Sequence, residues 1–356
     1  MKKPAIIIGL AVLAIGSLLF GLLWEEQTDI PKKPAQEPKS SSSPPETTET
    51  TSPNGPWENI TIDEENYVTV RSIQEFYGFE TLTESGPKLI LEKTNIRLEF
   101  LIGQQDVWMN KIKFIFSFPI KKYQEHHLIH RVDLVKLLDP VLRPAHINLG
   151  SIDTVIIDPG HGGHDPGTTS PHSHGTEKDH TLSLAKKLST QLRKRGFKVG
   201  LTRSADKYLT LQNRVDFANQ YPNALFISLH FNSGGSGRAQ GIETFTLSPK
   251  GIAHPGHDLK ASDFKEKPGN NNDAANIALA TAIHSTVIKN TGRQDRGIRR
   301  ARYSVITGVK HPAILLEGGY LSNRSEGAYI KRSDYQDRLA ISIADAIVKY
   351  KMATTR

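Results

Sequence analysis

Residues 154–167 read Thr-Val-Ile-Ile-Asp-Pro-Gly-His-Gly-Gly-His-Asp-Pro-Gly, an apolar run that ends in an aspartate, a histidine and several glycines. The β-branched residues 155–157 are typical of a buried strand, and the Pro-Gly that follows predicts a sharp turn. Glycine lets the backbone pass close to a ligand while the His161 imidazole stays exposed. The stretch therefore predicts a strand of an α/β sheet that carries a functional side chain at its carboxyl end.

Two later segments repeat this pattern of an apolar strand followed by a polar side chain. Residues 225–229 run into His230-Phe-Asn232, and residues 313–316 run into Glu317-Gly-Gly319. Open α/β sheets place their sites outside the carboxyl ends of the strands, so we expect His161, His230 and Glu317 to lie close together. Glu177, at the start of the next predicted helix, is a fourth candidate.

The C-terminal part of the chain alternates strands and helices. This order is typical of an α/β domain with a mainly parallel, twisted sheet and helices on both faces, to which we assign residues 149–356. The patterns predict strands at 154–157, 198–202, 225–229, 242–247, 303–306 and 313–316. They predict helices at 179–195, 211–219, 273–289 and 333–350.

The N-terminal 56 residues predict an anchor and a linker. Residues 4–24 carry no charge, follow two lysines and can cross a bilayer as a helix, so residues 1–24 predict a membrane anchor with the remainder exported and facing the cell wall. The length of the apolar run favours this anchor over a cleaved signal, and cleavage would make the protein secreted. Residues 25–56, rich in Pro, Ser and Thr, predict a flexible linker.

Residues 57–148 have a globular composition and predict a small α+β domain. Strand patterns occur at 67–71, 88–91, 96–101, 112–118 and 127–131, and helix patterns at 72–77 and 132–138. Residues 57–144 loosely resemble the stalk domain named after the N-terminal domain of copper amine oxidases, which implies a spacer or wall-contact role without a copper site. His126, His127 and His130 are candidates for a metal cluster, although packed or surface histidines are the favoured interpretation.

The composition limits which side chains can bind a metal ion and which partners are expected. The chain has 356 residues, no cysteine and a formal net charge of +8. Without thiolates, a metal ion must be bound by His, Asp or Glu. Two imidazoles and one carboxylate are a common catalytic zinc set, which leaves one position for water. The positive charge favours wall polymers or lipid head groups as surroundings, and we expect no nucleic-acid partner because no nucleic-acid-binding motif is present.

Each candidate side chain also has a structural explanation. A lone histidine after a strand is usually a hydrogen-bonded structural residue. Glu317 before two glycines fits an ordinary turn. His164, three residues from His161, is a rival ligand that spacing alone does not exclude. The set becomes specific only when all of its members are considered together.

Together, these motifs closely resemble the zinc-dependent N-acetylmuramoyl-L-alanine amidase family across about residues 152–351. The resemblance rests on residues 154–167, 175–178, 201–203, 214, 218–219, 226–233, 241–244 and 315–323. It implies that His161, Glu177 and His230 bind one zinc ion and that Glu317 is the catalytic carboxylate. It also implies hydrolysis of the amide between the lactyl group of N-acetylmuramic acid and L-alanine of the peptidoglycan stem peptide.

Two segments depart from the common pattern of that family. The loop 168–175 is longer and rich in histidine, and residues 250–272 form an insertion rich in Gly, Pro, Asn and charge. The insertion is a candidate for shaping the substrate groove or covering the metal as a lid. His254 and His257 within it are candidate auxiliary ligands, although a solvated loop is the favoured interpretation.

Substrate contacts are predicted at Asn232 and at a basic run near the strand that precedes Glu317. The run comprises Arg296, Arg299, Arg300 and Arg302, of which we assign Arg299 and Arg302 to substrate binding. Forked hydrogen bonds from arginine suit stem-peptide carboxylates, and a solvated basic face explains the run equally well. Rival functions are a zinc peptidase or deacetylase acting on another envelope amide and a non-catalytic wall-binding regulator, and a regulatory protein partner is left open.

Overall fold

Two β-sheets organise residues 57–355, which are the part of the chain that the structure, a computed structural model, describes. The predicted anchor 1–24 and linker 25–56 lie outside these residues. Within residues 57–355, no helix has the length and apolar character needed to cross a membrane.

Residues 57–148, called the N-terminal segment below, contain nine strands and a short helical region. The strands are β1 (Asn59–Ile62), β2 (Glu65–Thr69), β3 (Thr81–Ser85), β4 (Lys88–Lys93), β5 (Ile96–Leu101), β6 (Asp106–Met109), β7 (Ile112–Ile115), β8 (Lys121–Tyr123) and β9 (His126–His130). The helices are α1 (Val70–Tyr77), α2 (Arg131–Asp133) and α3 (Asp139–Leu142), with a π-helix at Leu134–Leu138 and a 3-10 turn at Pro144–His146.

The C-terminal segment alternates strands and helices, as its sequence predicts. Its strands are β10 (Thr154–Pro159), β11 (Lys198–Leu201), β12 (Ala224–Asn232), β13 (Ile242–Leu247), β14 (Asp295–Ala301) and β15 (Ala313–Tyr320). Its helices are α4 (Glu177–Lys194), α5 (Leu211–Asn219), α6 (Asp273–Thr291), α7 (Ser304–Thr307), α8 (Arg324–Ile330) and α9 (Ser333–Thr354), with 3-10 turns at Ala261–Phe264 and Pro268–Asn272.

The larger sheet has eleven strands in the order β11-β10-β12-β15-β13-β14-β7-β6-β5-β4-β3. The strands β11, β10, β12 and β15 are parallel, whereas β13 runs antiparallel to β15 and β14 follows the direction of β13. The smaller sheet has the order β1-β2-β9-β8. The C-terminal sheet is therefore mainly parallel, which confirms the predicted α/β class.

Side chains on the two faces of the larger sheet belong to two different apolar cores. Val155 and Ile157 pack on the face that α4, α6 and α9 cover, within a core that also extends through the N-terminal strands. Ile156 and Phe226 point to the opposite face and pack with α5 and α7 in a smaller core. Because successive side chains of a strand point to opposite faces, one short apolar run places residues in both cores. Helices cover both faces of the sheet, as the sequence predicts.

One predicted strand is wrong and one strand is missing from the prediction. The sequence pattern predicts a strand at 303–306, but residues Ser304–Thr307 form the short helix α7. The strand before Glu317 in the chain is instead the arginine-rich β14. The charged residues of β14 hide the apolar pattern that is typical of a buried strand. Arg300 is nevertheless buried there, because Asp133, which is far away in the sequence, neutralises its charge.

The N-terminal and C-terminal segments share the larger sheet. Strand β14 pairs with β7 through Ile298 and Phe114. Next to this pair, Arg300 and Asp133 form a buried ion pair of 2.9 Å, and Asp133 also accepts the backbone N–H groups of Ser117 and Phe118. The division into domains at residue 148 stays a prediction, but sheet and core continue across it.

Removal of one partner of the buried ion pair should destabilise the fold strongly. In Asp133→Ala the Arg300 guanidinium is left buried without its counter-charge, which costs about 3–5 kcal/mol of unfolding free energy. Chemical denaturation of the full chain measures this loss. Lys122→Ala, which removes an exposed ion pair with Glu84, is the control and should cost less than about 1 kcal/mol. Equal, small losses in both variants would contradict the role assigned to the buried pair.

Candidate metal centre and cleft

The carboxyl ends of β10, β12 and β15 meet at one edge of the larger sheet. His161 follows β10, whereas His230 lies near the end of β12 and is paired in register with Glu317 of β15. Glu177 is the first residue of α4, which packs across β10 and β12. The four side chains that the sequence singles out are therefore brought to the same place.

Three of these side chains converge on one point. Potential ligand atoms of His161, Glu177 and His230 all lie within 4.8 Å of one another. Glu177 Oε1 lies 2.9 Å from His230 Nδ1 and 3.2 Å from His161 Nε2. The other oxygen, Oε2, accepts the backbone N–H of Thr168 at 2.9 Å, which fixes the orientation of the carboxylate.

The second nitrogen of His161 is held by a carboxylate. His161 Nδ1 lies 2.8 Å from Asp165 Oδ2. A hydrogen bond of this kind fixes the tautomer and the ring orientation of a metal-binding histidine, and it leaves Nε2 turned toward Glu177. Sequence reasoning missed Asp165, although its position four residues after His161 is a usable signal.

Two glycines leave the space that this convergence needs. A Cβ at Gly160 would overlap the His230 ring. A Cβ at Gly167, which has a φ of +62°, would lie 2.6 Å from both Glu177 Oε2 and the His161 ring. The glycines of the stretch 154–167 are thus required by close packing around the imidazoles and the carboxylate.

Two buried arginines hold the turn that presents His161. Arg214 donates to Asp158 Oδ1 at 2.7 Å and to the His161 carbonyl at 2.8 Å. Arg203 donates to the carbonyls of Pro159 and Gly160. Sequence reasoning assigned no positioning role to Asp158, Arg203 or Arg214, because only the folded chain brings them together.

The charges of the centre depend on one another. Burial opposes ionisation of Glu177, but hydrogen bonds from His161 and His230 outweigh it and lower the pKa of Glu177. Burial also disfavours the charged form of His161, but Glu177 and Asp165 outweigh it and raise the pKa of His161. The centre is thus built around an ionised carboxylate, which is the form that binds a cation.

Glu317 stands beside this centre without a partner for one of its oxygens. Its Oε2 is buried and makes no hydrogen bond. Burial, followed by repulsion from Glu177 and Glu243, raises the pKa of Glu317 well above its ordinary value. A carboxylate in such a position has the basicity needed to exchange protons with a reacting group.

Glu243 forms a second polar cluster next to Glu317, its partner in the β13–β15 register. Its Oε2 accepts from Asn232 Nδ2 at 2.8 Å and from the Tyr320 hydroxyl at 2.9 Å. Its Oε1 lies 3.3 Å from the Nε atoms of both Arg296 and Arg299. About 30% of the Arg296 side chain and 31% of the Arg299 side chain are exposed.

Sequence reasoning also missed Glu243. A signal is present, since Glu243 is the one carboxylate in the apolar strand that begins at Ile242 and ends at Leu247. The local pattern does not show that Glu243 pairs in register with Glu317, or that it contacts Arg296 and Arg299.

The other two arginines of the basic run serve the fold. Arg300 points to the opposite face of the sheet and pairs with Asp133. Arg302, predicted to bind substrate, donates to the carbonyls of Pro249, Ile252 and Asp263 and pairs with the Asp263 carboxylate. Since these contacts occupy its guanidinium, Arg302 is withdrawn as a substrate-binding candidate.

The insertion 250–272 is anchored away from His161, Glu177 and His230. It follows β13 and is held by Arg302, which follows β14. Because β13 and β14 run antiparallel to β15, their carboxyl ends lie at the opposite end of the strands from Glu317. His254 and His257 line a cavity of about 580 Å³ between the insertion, α5 and α7. A lid over the metal does not agree with this arrangement.

The remaining histidine candidates have other neighbours. The His164 ring packs on Tyr208, with ring centroids 4.1 Å apart. His130 stacks on Phe118, and its Nε2 lies 2.9 Å from Glu65. Among residues 57–355, the group His161, Glu177 and His230 is the one set of three or more such side chains close enough to share an ion.

The donor set fits zinc. Two imidazoles and one carboxylate converge, a carboxylate orients one imidazole from behind, and an unpartnered buried carboxylate lies next to them. Three protein ligands are the number that catalytic zinc sites use. The residues present therefore suit a single catalytic zinc ion.

The sequence is similar to those of known cell-wall amidases. A family model described as N-acetylmuramoyl-L-alanine amidase matches residues 155–349, a range that includes all four side chains of the centre. The N-acetylmuramoyl-L-alanine amidase LytC of Bacillus subtilis is 31% identical over 198 residues, which are 56% of this chain and 35% of LytC. The probable cell wall amidase LytH of Staphylococcus aureus is 32% identical over 198 residues, which are 55% of this chain and 58% of LytH.

A solved structure is also similar to this chain. The catalytic domain of CwlV, an N-acetylmuramoyl-L-alanine amidase from Bacillus (Paenibacillus) polymyxa var. colistinus, is 34% identical with a TM-score of 0.47. The match covers 56% of this chain and 98% of that domain. The matched region spans only 35% of LytC and 58% of LytH, the curated relatives compared above.

Metal analysis of the full chain tests the centre directly. We expect about one zinc ion per chain, because catalytic zinc is held by three protein ligands. His161→Ala removes a ligand and should lose most of the zinc, whereas the matched change His164→Ala should keep it, since His164 packs on Tyr208 outside the centre. Retention of zinc in His161→Ala, or its loss in His164→Ala, would show that the wrong histidine has been assigned.

Proposed function

The chain belongs to the N-acetylmuramoyl-L-alanine amidase family, and from this membership and the geometry of its cleft we propose that it hydrolyses the amide between the lactyl group of N-acetylmuramic acid and L-alanine in peptidoglycan. One observation carries the proposal. His161, Glu177 and His230 converge to within 4.8 Å beside a carboxylate, Glu317, that has an unpartnered buried oxygen.

We propose that His161, Glu177 and His230 hold one zinc ion. When bound, zinc supplies a Lewis acid that activates water and stabilises negative charge on a carbonyl oxygen. The chain contributes a rigid set of ligands for this purpose. Asp165 orients His161, and the Thr168 backbone N–H orients Glu177, so little reorganisation is needed on binding.

Glu317 is the proposed general base and general acid. Its burial and its carboxylate neighbours raise its pKa, which makes it a stronger proton acceptor than an ordinary glutamate. It takes a proton from the attacking water and returns it to the departing alanine nitrogen. General acid–base catalysis of this kind typically contributes about 10²- to 10⁴-fold.

Arg296 and Arg299 are proposed to hold the stem peptide. Their Nε atoms lie against Glu243, while about a third of each side chain remains exposed on the face that carries Glu317. Glu243 thus orients the two guanidinium groups without using all of their donors. The forked donors of arginine match carboxylates, and stem peptides carry carboxylates beyond their first alanine. Asn232, bonded to Glu243, completes this side of the cleft.

The rival functions make different products. A deacetylase would release acetate, and a peptidase would cut stem peptides or cross-bridges, whereas the proposed amidase releases intact stem peptides and leaves free lactyl ends. A non-catalytic regulator would release none of these. All four side chains of the centre are present in this chain, which favours an enzyme over a regulator.

We also propose that the enzyme acts outside the cytoplasmic membrane, tethered by residues 1–24 through the linker 25–56. The support is the uncharged run of residues 4–24 behind two lysines, together with a substrate that lies in the cell wall. Protease added to intact protoplasts should digest residues 57–356 while an epitope placed at the N-terminus stays protected. Protection of both parts would contradict the orientation.

The variant Glu317→Gln separates metal binding from turnover. It preserves shape but removes the proton acceptor, so we expect normal zinc content and a fall in turnover of about 10²- to 10⁴-fold. Mass analysis of digested peptidoglycan, on the same preparation as the zinc measurement, gives both numbers. Full activity with normal zinc would remove Glu317 from the mechanism.

The variant Arg299→Ala tests recognition of the stem peptide. Loss of a hydrogen bond between charged groups costs about 1.5–3 kcal/mol, so kcat/KM should fall by about 10- to 150-fold, mainly through KM. The loss should be smaller on substrate whose stem-peptide carboxylates are amidated. Arg332→Ala, which changes an exposed arginine elsewhere on the surface, is the control and should behave like the unchanged chain. The same loss on both substrates would argue against a carboxylate contact.

A further inference from the structure

The face of the larger sheet that carries Glu317 continues onto the N-terminal strands. His230, Glu317 and Glu243 are neighbours in register across β12, β15 and β13. Beyond β14, the register runs from Lys113 to Trp108, from Trp108 to Glu99 and from Glu99 to Ile90. Side chains on this face therefore extend from the metal centre to β4, with an interruption at β14, where the β13–β14 register shifts between Ile242 and Thr244 and Gly297 has no side chain.

The alternation of side chains places these residues on a single face. Phe114 pairs with Ile298, and both are buried in the core on the helix-covered face. Lys113, one residue from Phe114, consequently points to the opposite face, which is the face of Glu317 and Arg299. The same parity holds for Trp108, which follows the buried Val107.

The seam between β14 and β7 is tightly packed. A Cβ at Gly297 would lie 3.3 Å from Cγ of Lys113 and 3.3 Å from Cγ1 of Ile115. The backbone N–H of Lys113 donates to Asp295 at 2.9 Å. The two segments are therefore in close contact at this seam, and four strand spacings of about 4.8 Å put Trp108 roughly 19 Å from Glu317.

This part of the sheet is open to solvent. We call the outward side chains of β4 to β7 the platform, which comprises Lys88, Ile90, Glu92, Arg97, Glu99, Leu101, Asp106, Trp108, Lys113 and Ile115. Lys88 and Arg97 are exposed, and the other eight side chains are half-buried. The platform extends the Glu317 face of the sheet away from the metal centre.

The charges of the platform cancel in pairs. Lys113 lies 2.9 Å from Asp106, Lys88 lies 2.6 Å from Glu99, and Arg97 pairs with Glu92 and Glu99. Three basic and three acidic side chains leave no net charge. A polyanion, whether a wall polymer or a lipid head group, would gain little from such a surface, despite the net charge of +8 on the whole chain.

Trp108 lies in the middle of the platform. Lys113 Nζ lies 5.4 Å from the centre of its ring, Ile115 lies in the neighbouring strand β7, and Ile90 lies two strands away in β4. A partly exposed indole offers a flat apolar surface with a polar edge, which suits the C–H face of a sugar ring. The paired charges around it supply donors and acceptors for hydroxyl and acetamide groups.

We propose that the platform binds the glycan strand of the same peptidoglycan molecule whose stem amide occupies the cleft. This inference rests on the proposed function for the identity of the polymer. The continuity of the face carries it, because a strand held at the metal centre has a surface without net charge, bearing an aromatic side chain, directly in its path. The N-terminal strands then take part in substrate binding as an extension of the catalytic cleft.

The binding arm of the test uses the full chain with Glu317→Gln, so that the substrate is not consumed. Purified insoluble peptidoglycan, freed of anionic wall polymers, is the probe in a sedimentation assay. We expect Trp108→Ala to weaken binding by about 2- to 13-fold, as the loss of an aromatic contact of about 0.5–1.5 kcal/mol implies, and Trp108→Phe to restore most of it. Tyr123→Ala, which removes an exposed aromatic side chain from the smaller sheet, should leave binding unchanged.

The activity arm measures kcat/KM on two substrates, with Glu317 intact, for the chain with and without Trp108→Ala. Trp108→Ala should lower kcat/KM on polymeric peptidoglycan by a similar factor, mainly through KM, and should affect a short soluble muramoyl peptide by less than about 2-fold. Equal losses on both substrates, or no loss on the polymer, would overturn the platform. Disappearance of binding at high salt, or altered self-association of the variant, would overturn it as well, since a polyanion or a second copy of the chain would then be the occupant.

The two arms separate this inference from the proposed function. Weaker binding of Trp108→Ala, in a chain that releases no stem peptides, would sustain the platform and overturn the amidase. Release of stem peptides with unchanged binding and turnover in Trp108→Ala would sustain the amidase and overturn the platform.

Discussion

The structure depends on holding one ionised carboxylate, that of Glu177, between the imidazoles of His161 and His230. Such a carboxylate loses hydration on burial, and hydrogen bonds from both histidines and from backbone N–H groups compensate for that loss. The three side chains come from a turn, a helix start and a strand end that are distant in the chain. The parallel strands and α4 must therefore assemble before the centre can exist.

The surroundings of the centre follow from this constraint. Two glycines are required because the imidazoles approach the backbone closely, and Arg203 and Arg214 fill the underside of the turn with buried hydrogen bonds. On the other side, Glu243 orients two arginines toward the open face of the sheet. Because that face runs on through β14 into β7, the N-terminal segment is part of the same surface and shares its core with the C-terminal segment.

Local pattern is enough to predict much of the fold and of the centre. The strand Ile242–Leu247 and the helix Leu211–Asn219 have the bounds that their apolar periodicity predicts, and His161 follows the end of its strand as expected. His230 and Glu317 lie inside the carboxyl-terminal halves of strands that continue to Asn232 and Tyr320, beyond the predicted ends. Prediction fails where distant partners decide. From the local sequence Arg300 is expected at the surface, because its partner Asp133 lies 167 residues away, and β14 is therefore not predicted as a strand. Likewise, nothing in the local sequence of the insertion indicates that its carbonyl groups bind Arg302.

X-ray anomalous scattering at the zinc absorption edge, recorded from crystals of the full chain, tests the central claim most directly. We predict a single strong peak at bonding distance, about 2.0–2.2 Å, from atoms of His161, Glu177 and His230 together, with Glu317 next to it and not bonded to it. A peak elsewhere, for example between His254 and His257, or no peak in zinc-containing crystals, would contradict the claim.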